Sequence, residues 1–185
     1  VYLSSATLLT CAYQVKSVIS RQNKRVLTMI SELSSAVKNA IENFKVPSEV
    51  GFGTLIAPVM IEANYKDNQW SELKILPFGD ITIPPTAKVF HYAQEIFEGL
   101  KAYKSPRGEA LLFRPEQNAK RFNYSARRMA MPEVPEEIFL SSCRTITTLS
   151  KEFIPKASGS SLYIRPFMFA TEATLGIKPS SEFKF

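Results

Sequence analysis

Two arginines stand where a guanidinium can do chemistry. Arg121 lies in the run Asn118-x-x-Arg121, on a stretch with helical periodicity, so its donors are fixed on a rigid element and suit bidentate capture of a phosphate or a carboxylate. The competing reading is a solvated surface arginine. Arg165 lies in Tyr163-Ile164-Arg165-Pro166, where extended backbone would point the phenol and the guanidinium the same way. An arginine among aromatic side chains needs a carboxylate or loses solvation without return. That carboxylate is either an acidic ligand or a structural ion-pair partner. Tyr92 offers a hydroxyl at what reads as a strand end, for an anion or for packing alone. His91 is the single histidine, and Cys11 and Cys143 lie far apart, so neither metal-ligand nor CxxC spacing is present. Gly51 and Gly53 could open a phosphate loop, but no helix follows within reach.

These groups must be positioned by local structure. LKAY and ALLF flank the turn Ser105-Pro106-Arg107-Gly108, which predicts a hairpin. Arg114-Pro115 then opens a helix with proline at its first position. Ala119, Phe122, Ala126 and Met129 mark its buried face, beside a polar stripe of Asn118, Arg121, Ser125 and Arg128. Upstream, Tyr92 and Phe97 bracket a short Gln-Glu turn ended by Gly99. The chain before that predicts a helix over residues 30–44 and a hairpin of two strands, residues 51–65 and 70–76, joined at Lys66-Asp67-Asn68-Gln69. After Pro135 a second long helix buries Ile138, Phe139, Cys143, Ile146 and Leu149, and residues 161–170 alternate as one strand, with Tyr163, Arg165, Phe167 and Phe169 on one face. Hairpins followed by helices predict an α+β domain with a largely antiparallel sheet flanked by helices.

Three runs together are more specific than any short fingerprint: Phe90-His91-Tyr92-Ala93-Gln94-Glu95-Ile96-Phe97-Glu98-Gly99-Leu100-Lys101-Ala102-Tyr103; Phe113-Arg114-Pro115-Glu116 with Asn118 and Arg121; and Leu162-Tyr163-Ile164-Arg165-Pro166. In order and approximate separation they resemble the branched-chain amino acid aminotransferases, pyridoxal-phosphate enzymes of fold type IV. The resemblance covers residues 33 to 185 and implies the small N-terminal domain of that fold, with the large C-terminal domain missing beyond Phe185. It implies that Arg121 holds the phosphate of pyridoxal 5'-phosphate and that Tyr92 helps hold the substrate α-carboxylate. Phe52, Phe97 and Tyr163 would wall the branched side chain, while Arg165 with Tyr163 would meet the distal carboxylate of glutamate or 2-oxoglutarate. The two guanidiniums are therefore expected to look into a common cleft. Ile177 matches a loop that reaches into a neighbouring subunit, and a homodimer is implied. The resemblance implies that the catalytic Schiff-base lysine lies beyond Phe185; Lys101, Lys104 and Lys178 do not occupy its motif. The expected activity is transfer of the amino group of leucine, isoleucine or valine to 2-oxoglutarate, with the segment inactive alone. A D-amino acid aminotransferase, an aminodeoxychorismate lyase or a non-catalytic truncated module are the rivals.

Length and charge agree with a globular domain. The 185 residues are 45% hydrophobic and carry a formal charge of +6. Residues 1–31 hold Lys16, Arg21, Lys24 and Arg25 and no acid, which leaves 19 basic against 17 acidic groups in the remainder. No basic stripe interleaved with aromatics survives that division, so neither a nucleic-acid partner nor, without a long apolar run, a membrane span is expected. Residues 1–28 read as a leader, either transit-like or upstream sequence translated in frame, with residues 29–185 as the domain. Cytoplasmic location is expected, or mitochondrial if that leader is a true transit segment.

Overall fold

The computed structural model describes residues 28–47, 50–51, 53–155 and 159–185. The chain forms two compact units, Val1–Leu33 and Ser34–Phe185. The leader lies almost wholly outside the described residues, as do Cys11 and Phe52. Within the first unit a helical turn spans residues 28–31, where Glu32 N–H donates to the Thr28 carbonyl at 3.2 Å. The helix expected over 30–44 is therefore interrupted. The second unit starts afresh with α1 (Ser35–Asn43), because the Ser34 hydroxyl accepts from Val37 N–H and caps a new first turn.

Strands β1 (Val59–Glu62), β2 (Asn64–Lys66), β3 (Gln69–Trp70) and β4 (Lys74–Pro77) follow. Asp67 and Asn68 both take positive φ, as a tight two-residue hairpin turn requires. The two long strands read from sequence are each broken: β1 pairs with β4, whereas β2 and β3 join another sheet. The break falls at buried Ala63, whose N–H and carbonyl both bond Phe185 at 2.9 Å.

After α2 (Lys88–Tyr92) come β5 (Glu95–Phe97), β6 (Leu100–Lys104) and β7 (Ala110–Leu112). Tyr92 thus ends a short helix, with Ala93 in the left-handed region, rather than a strand. The β6–β7 hairpin is the expected one, with Gly108 at φ +81° in its turn. Helices α3 (Pro115–Arg128) and α4 (Glu136–Ser150) pack on one another, and β8 (Leu162–Ile164), β9 (Phe167–Ala170) and β10 (Phe183–Lys184) complete the unit. Among the described residues the ladders form three antiparallel sheets, ordered β1-β4, β3-β2-β10-β9-β5 and β7-β6-β8.

The core lies between these sheets and the helix pair. Phe122 of α3, Phe139 of α4 and Phe185 have their ring centres 5.5 to 6.1 Å apart, and Met168 and Phe183 close the cluster. Ala119 and Ala126 bury as expected, but Met129 caps the helix and is partly exposed. Helix α4 buries more than its apolar stripe. Some of its hydroxyls bond back one turn, Ser142 to Ile138 O at 2.8 Å and Thr147 to Cys143 O at 2.6 Å, while the buried Ser150 hydroxyl has no hydrogen-bond partner among the described residues.

Candidate functional site

One two-stranded ladder carries three of the candidate residues, Phe97, Tyr163 and Arg165. Phe97 pairs with Phe167 in one sheet and Leu100 with Ile164 in the next. Glu98 N–H bridges the gap to Pro166 O at 2.8 Å. The register stays in step throughout, so β5–β6 and β8–β9 are two continuous extended runs that leave one sheet for another at Glu98-Gly99 and Arg165-Pro166. The Gln-Glu turn expected before Gly99 is part of this extended run. Alternation then divides the side chains. Phe97, Gly99 and Lys101 share a face with Tyr163, Arg165 and Phe167, which are exposed or half-buried. Glu98, Leu100, Ile164, Pro166 and Met168 share the other, and all are buried.

On the first face the phenol and guanidinium meet as expected. Arg165 Nε and Nη2 donate to the Tyr163 hydroxyl at 3.1 and 2.9 Å. The guanidinium carbon lies 4.3 Å from the centre of the Phe97 ring, a cation over an aromatic face. Gly99 makes this possible: a Cβ there would sit 2.5 Å from the Tyr163 hydroxyl. Among the described residues no carboxylate pairs with Arg165.

Beside it runs a hollow of about 670 Å³ along the free edge of β8. Tyr163 and Arg165 line it together with Val50, Ile56, Met60 and Phe78. Its wall includes Gly51 and Gly53, the neighbours of Phe52. Arg121, Tyr92 and Phe97 are not among its lining residues.

Arg121 belongs to the other face. Its Nε and Nη2 donate to the two oxygens of Glu98 at 2.5 and 2.7 Å, and Asn118 Nδ2 donates to the same carboxylate at 2.9 Å. Residues 118 and 121 lie one helical turn apart, so both reach one acid. Burial pushes the Glu98 carboxyl up, but the bonds from Arg121 and Asn118 outweigh it and hold it below the usual carboxylate range. The Arg121 side chain is 66% exposed while that of Glu98 is 4% exposed. The expectation that both guanidiniums of one chain look into a common cleft is thus not met. They approach the same ladder from opposite sides.

Tyr92 and Ile177 form a third group. The Tyr92 hydroxyl donates to Leu175 O at 2.5 Å, and Ile177 stands 93% exposed on the loop that follows. The loop is tied down at its base. Lys88, with no exposed surface, donates to Lys178 O at 2.7 Å and pairs with Glu172 at 3.3 Å. Gln94 accepts from Ser180 N–H at 3.1 Å. His91 is accounted for by Pro85 O at 2.9 Å, Lys104 by Glu152 and Lys178 by Glu172. Among the described residues no group of three His, Cys, Asp or Glu could hold a metal, and no helix is long and apolar enough to cross a membrane.

The chain is 45% identical over 140 residues to branched-chain-amino-acid transaminase 1 of Bacillus subtilis, which covers 75% of this chain and 39% of that protein. It is 46% identical over 137 residues to the branched-chain-amino-acid aminotransferase of Mycolicibacterium smegmatis, covering 73% and 37%. The chain is related to the branched-chain-amino-acid aminotransferases. It spans well under half the length of these relatives. No family model matches it. The solved branched-chain aminotransferase of Thermoproteus uzoniensis, with norvaline, superposes at a TM-score of 0.49 and 17% identity, over 68% of this chain and 39% of that one.

Glu98 is the residue that sequence reasoning passed over. Its signal was available in the Glu98-Gly99 dipeptide ahead of Asn118-x-x-Arg121, but only pairing in space joins them.

Proposed function

We propose that this chain is the small domain of a branched-chain amino acid aminotransferase, which exchanges the amino group of leucine, isoleucine or valine with 2-oxoglutarate. The observation that carries the reading is Arg165, a cation over the Phe97 ring and bonded to the Tyr163 hydroxyl, with no carboxylate partner among the described residues, beside an apolar hollow. One pocket with an aliphatic wall and a single unneutralised guanidinium can take a branched side chain in one half-reaction and a distal carboxylate in the other. Kinship with proteins of that name supports the same substrates.

Pyridoxal 5'-phosphate fits the other arginine. With Glu98 on one edge of Arg121, the remaining N–H groups of an exposed guanidinium are left for a phosphate. The bound cofactor would supply the electron sink and the carbon that carries the amino group between substrates. This chain's residues would anchor and orient: Arg121 at the phosphate, Tyr92 near the α-carboxylate, and Phe52, Phe97 and Tyr163 around the side chain. The lysine that holds the cofactor and moves the proton would come from another part of the complete protein, so the isolated chain should not turn over substrate.

The opposed faces favour a homodimer. In such a dimer each copy would supply one of the two arginines to a shared ligand. The exposed Ile177 loop is then available to the partner's pocket as well.

The complete protein should use leucine, isoleucine and valine as amino donors to 2-oxoglutarate and should not use D-alanine. A steady-state comparison of the four donors decides this; D-alanine as the better donor would move the protein to the D-amino acid enzymes of the same fold.

A further inference from the structure

Four donors converge on the Glu98 carboxylate. Its Oε1 takes Arg121 Nε, and its Oε2 takes Arg121 Nη2, Asn118 Nδ2 at 2.9 Å and Gly99 N–H at 3.3 Å. Three of the four donors crowd Oε2, and with 4% of its side chain exposed the acid is closed to a ligand. A buried acid beside a candidate site is ordinarily a general-base suspect. This one is not, since its neighbours lower its proton affinity and enclose it.

What it does is geometric. A guanidinium presents two bidentate edges, the side-on edge of Nε with Nη2 and the end-on edge of the two Nη atoms. Glu98 holds the side-on edge from below, in the buried layer, and Asn118 steadies the acid from the helix that carries Arg121. The end-on edge then has to face outward, where the side chain is exposed. An arginine on a three-carbon stem would otherwise lose considerable rotamer freedom whenever it gripped an anion.

We propose that Glu98, steadied by Asn118, is a positioning residue that presents the end-on edge of Arg121 to the cofactor phosphate. The proposal rests on the reading that Arg121 takes that phosphate. It also accounts for the asparagine of Asn118-x-x-Arg121, which touches the acid rather than the ligand.

The test uses the complete protein and two probes, pyridoxal 5'-phosphate and pyridoxal, which lacks the phosphate. Affinity for each is measured by equilibrium titration in wild type, Glu98→Gln, Asn118→Ser and Arg121→Met, with the 31P resonance of bound pyridoxal phosphate as a second readout. Glu98→Gln should weaken pyridoxal phosphate on the order of tenfold, the scale on which supports of a charged ligand act. It should leave pyridoxal unchanged and shift the 31P line. Asn118→Ser should do the same to a smaller degree, and it decides the matter if Glu98→Gln does not fold. A preference for pyridoxal phosphate over pyridoxal that is unaltered in the folded variants, while Arg121→Met has lost it, overturns the role of Glu98 and leaves the phosphate reading standing. Retention of that preference in Arg121→Met overturns the phosphate reading, and this proposal with it.

Discussion

Gly99 is where the site depends on the absence of an atom. The Tyr163 ring lies over it, and a methyl group would meet the hydroxyl at 2.5 Å and the ring carbons at 3.1 and 3.2 Å. In Gly99→Ala the tip of the tyrosine can swing aside, so the stability cost should be about 1 kcal/mol, at the low end of overpacking. The larger effect falls on Arg165, which loses the phenol it is bonded to. Urea unfolding measures the first, and the near-ultraviolet circular dichroism of the tyrosines reports the second. A spectrum identical to wild type would contradict the arrangement. The pairing of Tyr163 with Arg165 was legible in the sequence because alternation along one strand is a local rule. The bond between Glu98 and Arg121 was not: each residue looks like an ordinary surface charge until a strand from one stretch is laid under a helix from another.

At the scale of elements, the sequence predicted types better than limits. The β6–β7 hairpin and helices α3 and α4 lie where periodicity placed them. The long strands did not survive as units, because a strand that leaves one sheet for the next keeps its alternation; nothing local marks the step at Ala63, and Pro166 alone signals the one at Arg165-Pro166. The loop after β9 was equally hidden, since its clasp is formed by Lys88, far away in the chain. Burial pushes the Glu172 carboxyl up, but the bond from Ser181 N–H and the ammonium groups of Lys178 and Lys88 outweigh it and bring it down to about 2 from an ordinary 4.5. A carboxylate with a depressed folded-state value stabilises the fold above its unfolded value, and that contribution disappears as pH falls. The clasp should therefore hold at neutral pH and weaken between pH 4.5 and about 2. Urea midpoints of wild type and Glu172→Gln, compared across that range, test this. The wild-type advantage should shrink with acid, and an advantage that is constant or grows would show that the clasp does not depend on the ionised acid.

For the whole molecule, the exposed apolar residues gather meaning from the two faces of one ladder. Phe97 and Phe167 are paired across β5 and β9 and both lie open on the Arg165 side, while Ile177 and Leu175 project from a loop with a fixed base. Surfaces of this kind mark contacts still to be made. On the proposed function they are covered in the complete protein by its other domain and by a second copy. That function turns on Arg165 discriminating between the two half-reactions. In the complete protein, the leucine and glutamate half-reactions of wild type and Arg165→Met should be followed separately by single-turnover absorbance of the cofactor. The glutamate half-reaction should slow on the order of ten- to a hundredfold, the worth of a charge-assisted hydrogen bond, while the leucine half-reaction stays close to wild type. Equal slowing of both, or of neither, would contradict it.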